Sequence, residues 1–221
     1  MCMTSRGDIV IGMDGRAVDR AVREIVRPLL RSVGFSRFTG RKAWRYHEQT
    51  IDLVAFRSFS RDSAQRLGCT TFSFALTSGV FYRCLDVALE RPDTYHLTFG
   101  FEGGKSLRQP WFHHEASPNT WDRPDVWYVL PDGSNLEESV QDARQLLEST
   151  GIALMDRFTT PELGYQALLT ERSRNPDFGL PGIEMPGAPD SPRWRDTVIA
   201  IGHAIGVLDP RQDMRSASVL G

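Results

Sequence analysis

TTFSFALTSG, residues 70–79, decides the fold class of this chain. Phe72, Phe74 and Leu76 alternate with Thr71, Ser73, Ala75 and Thr77, and a period of two puts successive side chains on opposite faces of a strand. The same period runs back through KAWRYHE (42–48) and TIDLVAFRSFS (50–60). Forward, TYHLTFGF (94–101) repeats it with Tyr95, Leu97 and Phe99 on the inner side; PWFHHE (110–115) and DVWYVL (125–130) are shorter candidates. Turns rather than helices join these segments, which predicts an antiparallel sheet. One face would pack on helices, and the other would carry Arg, Thr and His into water.

Helical periodicity lies on either side. Val18, Val22, Ile25, Val26, Leu29 and Val33 recur at spacings near 3.6, with Arg16, Arg20, Arg23, Arg27 and Arg31 between them. That pattern predicts an amphipathic helix with a basic outer side. Pro28 predicts a kink or restart within it, and Gly34 followed by Phe35 predicts a left-handed C-terminal cap. Beyond the strands, Ser134 with Glu137 reads as a capping box. Leu136, Val140, Ala143, Leu147 and Leu154 follow at helical spacing, interrupted at Gly151. Thr160-Pro161 and Ser191-Pro192 each open a helix, the last with Trp194, Val198, Ile201 and Ile205 as its apolar stripe. The reading is α+β: an antiparallel sheet of about five to six strands packed against an N-terminal helix and C-terminal helices. Residues 1–14 form a flexible extension, 15–173 the α+β domain, 174–191 a Pro/Gly-rich loop and 192–221 a C-terminal helical segment.

Composition bounds the function. The 221 residues are 40% hydrophobic and 24% charged, which is enough to bury a core. The net charge of −2 gives no global signal for DNA or anionic membrane. Its distribution is uneven: residues 1–61 hold 12 Lys/Arg against 6 Asp/Glu, and residues 62–221 hold 14 against 22. Either the two parts compensate across internal contacts or the basic part faces an acidic partner. Three cysteines without paired spacing argue against a disulfide framework and point to a reducing, cytoplasmic setting. No signal peptide and no membrane-spanning run are expected.

Several short motifs carry a resemblance. The first helix ends in Gly34-Phe35; a basic-aromatic strand follows with Trp44-Arg45, then a strand ending in Arg57-Ser58, then Phe72-Ser-Phe-Ala-Leu. Trp121-Asp122 and Asp125-Val-Trp127-Tyr128 precede the capped helix. Over residues 15–160 this pattern resembles the bacterial family catalogued as domain of unknown function 4304, from which Trp127-Tyr128 departs where a double Trp is typical. The resemblance implies a compact cytoplasmic bacterial domain and carries over no catalytic residues.

The candidate site residues are few. On a strand, His113 and Glu115 share a face and His114 does not; two ligands fall short of the three of a catalytic zinc site, and no metal or cofactor is expected. Arg45 and Arg57, on neighbouring strands, could share a face and clamp a carboxylate or phosphate, or pair with Asp52 or Glu48. One of Trp127 and Tyr128 would leave the core, making Trp127 a candidate contact for a partner. The basic-aromatic run 34–61 would grip nucleic acid only if Trp44, Tyr46 and Phe56 lay open in one basic trough, so nucleic acid is not the expected partner. Cys69 and Cys84 lack a nucleophile signature, and GFEGGKS (100–106) lacks the spacing of a phosphate loop. The expectation is a non-catalytic module that binds another protein or a small anionic ligand through its outer sheet face and Pro-rich loop. The alternative is a hydrolase or transferase with a His/Glu/Arg site in a cleft between sheet and helices.

Overall fold

The computed structural model describes residues 15–102, 126–174, 183–184 and 192–207. It is an α+β fold. Five antiparallel strands carry the sheet: β1 (Arg37–Thr39), β2 (Lys42–Tyr46), β3 (Thr50–Ser58), β4 (Phe74–Tyr82) and β5 (Phe99–Glu102). Two strands of two residues each complete it, β6 (Val126–Trp127) and β7 (Ile183–Glu184). The order is β1-β2-β3-β4-β5-β7, and β6 pairs with β4 at Phe74 and Ala75, beside the stretch that pairs with β5. The helices are α1 (Gly15–Ala21), α2 (Arg27–Ser32), α3 (Arg61–Leu67), α4 (Leu136–Leu146), α5 (Ile152–Asp156), α6 (Pro161–Arg174) and α7 (Pro192–Ala204).

A π-helical turn, Val22–Val26, joins α1 to α2, and the sequence explains it. Val18, Val22, Val26 and Leu30 are spaced by fours. In an α-helix each such step drifts by about 40°, or about 120° over the three. A wide i→i+5 turn takes up one extra residue, and all four side chains stay buried. Pro28 follows directly on this wide turn, where the regular i→i−4 ladder that it cannot complete is already interrupted. Gly34, at φ +93°, ends α2. The Phe35 N–H donates to the Leu30 carbonyl at 2.9 Å and the Gly34 N–H to that of Arg31 at 3.2 Å, the paired bonds of a Schellman cap.

The core lies between the helices and one face of the sheet. Val18, Val26, Val54, Phe74, Leu76, Tyr82, Trp127, Leu147, Leu168 and Ile201 are among its buried members, so α7 shares the core of the helices before it. At Tyr82 the fit depends on a missing side chain. Gly164 of α6 lies against the phenol, and a Cβ there would stand 2.5 Å from the Tyr82 Cζ and overlap the hydroxyl.

The opposite face differs from the expected solvated one. Trp44, Ile51, Leu53, Ala55, Phe81 and Leu97 form a second apolar cluster, with Leu85 and Leu89 packed on it. Residues 83–97 lie across this face as a strap. The Trp44 Nε1–H donates to the Pro92 carbonyl at 3.0 Å, and Lys42 pairs with Asp93 at 2.6 Å. The Asp93 N–H donates to His96 Nδ1 at 2.9 Å, closing a short 3-10 turn. That turn takes Tyr95 out of the expected strand and leaves it 69% exposed, while Leu97 and Phe99 remain buried on opposite faces.

Two expected boundaries also move. Asn135, not Ser134, precedes α4. Its side chain accepts from the Leu130 N–H and donates to the Tyr128 carbonyl, both at 2.8 Å, so it ties down the incoming chain instead of the helix start. Gly151 does not break the helix; it ends a second π-helical turn, Leu147–Gly151, that runs into α5.

Candidate functional site

Arg45 lies at the junction of sheet and helices. The register pairs it with Asp52, and both side chains are on the helix-facing side. Its Nε–H donates to Asp52 Oδ2 at 2.6 Å, one Nη2–H to Asp156 of α5 at 2.6 Å, and Nη1–H to the Val33 carbonyl at 3.2 Å. The guanidinium carbon lies 5.3 Å from the Phe35 ring centroid. Burial pushes the Arg45 pKa down, but Asp52 and then Asp156 more than reverse it, and the net shift is upward. Asp52 is fully buried, and its Oδ2 also meets His47 Nε2 at 2.8 Å. The donors of Arg45 are directed at the protein itself: of the two readings, anion clamp or pairing with Asp52, the structure has the pairing, and the residue braces β2, β3, the first helix and α5.

Arg57 does not join it. Arg57 pairs with Ala75 on the strap-covered face, two residues along from Ala55, whereas Arg45 and Asp52 face the helices. Counting from the β2–β3 turn shows why: positions 45 and 57 fall in opposite phases of the alternation.

Trp127 is fully buried, which overturns its reading as an exposed contact. Its ring stacks on Phe74 at 5.7 Å between centroids, and its Nε1–H donates to Asp142 Oδ2 at 2.7 Å. Tyr128 is buried too. The strand ends at Trp127, so strict alternation no longer applies to the next residue. His113 and Glu115 lie outside the described residues. The test set for a nucleic-acid trough is not met: Trp44 and Phe56 are buried on opposite faces and Tyr46 is half-buried on the Trp44 side.

A shallow pocket of about 280 Å³ opens between Gly68–Thr70 and Tyr128–Pro131. Cys69 lines it, with its thiol pushed up by burial. Thr70 Oγ donates to the Val129 carbonyl at 2.7 Å and the Val129 N–H to Ser73 Oγ at 3.0 Å. The hydroxyls beside the pocket thus hold its wall together.

Among the described residues, the first helix carries a run of arginines outside any ion pair. Arg16, Arg20, Arg23 and Arg31 are exposed and Arg27 is half-buried. Among the described residues none of the five forms an ion pair; Asp19, which lies among them, is taken by Arg41. Arg27 and Arg31 lie 5.3 and 5.4 Å from the centroid of the same Phe38 ring in β1, and Arg27 Nη2 donates to the Gly40 carbonyl at 2.8 Å. Burial, then the neighbouring Arg23 and Arg31, push the Arg27 pKa down, as expected where like charges crowd. Elsewhere the two halves of the chain do compensate, through Lys42–Asp93 and Arg45–Asp156. The basic outer side was visible as helical spacing, whereas which of its charges go unpaired depends on where Asp19 and Arg41 meet.

Among the described residues no helix is long and apolar enough to cross a membrane. No protein-family model matches the chain, and no curated protein or solved structure matches it.

Proposed function

We propose that this chain is a non-catalytic binding module that engages an acidic partner through the outer side of α1 and α2. The observation that carries this reading is the set of five arginines, none of them in an ion pair among the described residues, with Asp19 in electrostatic reach of Arg27 but bonded to Arg41. Arginine forms forked bonds to carboxylates and sheds water more readily than lysine, and cations left unpaired on one face attract a partner of opposite charge. The outer sheet face gives way to this helix as the binding surface, because the strap covers that face. A reducing, cytoplasmic setting is part of the reading and is supported by the free thiols of Cys69 and Cys84.

The test is retention of the full chain on immobilised polyglutamate across a salt gradient. The wild-type chain should bind at low salt and elute as salt rises. A variant with Arg16, Arg20, Arg23 and Arg31 changed to Gln should pass through. Equal retention of the two proteins would refute the assignment.

A further inference from the structure

Resting on that reading, we infer that the partner presents an acidic α-helix along this face. The arginines follow at intervals of four, three, four and four residues, so Arg16 and Arg31 stand at most about 22 Å apart along the axis at ~1.5 Å per residue, less what the wide turn at Val22–Val26 takes up. A second helix with carboxylates at the same intervals repeats those rises step for step. An extended chain advances about 6.7 Å between side chains on one side. Over four steps it overshoots by at least about 4 Å, as much as the longest ion pair spans. Duplex DNA carries a charge every ~1.7 Å of axis, none of which could meet Glu24 favourably.

Two features make the match more specific. Phe38 and the Gly40 carbonyl already hold Arg27, and Phe38 also holds Arg31; groups ordered beforehand lose less freedom on binding. These two are the anchors of the interface. Glu24, exposed between Arg23 and Arg27, repels a phosphate backbone and calls for one Lys or Arg on the partner helix.

The experiment uses the full chain and three fluorescent probes. The first is a helix-forming peptide with Glu at intervals of four, three, four and four and one Lys placed to meet Glu24. The second is a permutation of the same residues with Glu at every other position, and the third is a DNA duplex of equal charge. Anisotropy should show the first bound at least tenfold more tightly than either other probe, with a gain of helical circular dichroism on binding. Arg31→Ala, checked by circular dichroism for an unchanged fold, should weaken it several-fold. Equal affinity for the two peptides would overturn the helical partner while the acidic-partner reading stands. Tighter binding of the duplex would overturn it in favour of nucleic acid. Failure of both peptides to bind would remove both proposals.

Discussion

Asp52 Oδ2 accepts from Arg45 Nε at 2.6 Å and meets His47 Nε2 at 2.8 Å, with no part of its side chain reaching solvent. Removing one member of a buried ion pair costs about 3–5 kcal/mol where the other is left unpaired, whereas an apolar pair of similar size is often neutral. Arg45 keeps Asp156 and the Val33 carbonyl, so Asp52→Ala should destabilise by less than this ~3–5 kcal/mol in urea unfolding. Arg45→Met combined with Asp52→Leu should recover most of the loss. A double variant as unstable as the single one would show that the brace cannot be replaced by packing.

Gly164 has no room for a side chain beside Tyr82. Gly164→Ala should cost about 1–3 kcal/mol through overpacking, although alanine favours a helix interior elsewhere. The Tyr82 hydroxyl is buried without a hydrogen-bond partner among the described residues, so Tyr82→Phe should be neutral or stabilising. Thermal melts of the two single variants decide both points.

Burial pushes the Asp93 carboxyl up, but the Lys42 ammonium and the Thr94 N–H outweigh it, and the net shift is downward. A carboxylate held below its unfolded value stabilises the fold above that value and loses this contribution as pH falls through the folded value. Asp93→Asn should flatten the acid limb of stability below about pH 4 and leave its shape at neutral pH unchanged. Urea midpoints measured across the acid range test this.

Burial pushes the thiols of both Cys69 and Cys84 up. The thiolate is the reactive form, so alkylation of these two residues by iodoacetamide, followed peptide by peptide apart from Cys2, should be slow at neutral pH and still climbing above pH 9. A plateau near pH 7 would reveal an activated cysteine.

The crowding of Arg23, Arg27 and Arg31 implies that salt stabilises the free protein by screening like charges. The melting temperature should rise between low and moderate salt. Arg31→Gln should raise it at low salt and reduce the salt dependence.

What the sequence revealed was local. The first helix, its restart near Pro28 and the Gly34 cap follow from neighbours within a few positions, as do the alternating strands β2 to β4. The side on which Arg45 ends up did not follow, because alternation separates two faces without saying that both are covered. Its partners are seven and 111 residues away, and the strap that buries Trp44 was read as strand only from Thr94 onward, its earlier part having no period of its own. Trp127 and Tyr128 misled for a related reason: a two-residue strand obeys its period only while it lasts. On the first helix the spacing of the arginines was plain, but which of them lack acidic neighbours depends on where Asp19 and Arg41 meet.

The β1–β2 hairpin is stitched to the first helix at several points: Arg27 to the Gly40 carbonyl, Arg41 to Asp19 and the Gly15 carbonyl, and Phe38 beneath two guanidiniums. A three-residue border strand would otherwise fray and offer its open amides to passing chains. Fastened in this way, it should resist both fibril seeding and proteolytic nicking, and whatever settles on the helix will be felt first as slower amide exchange at Arg37 to Thr39.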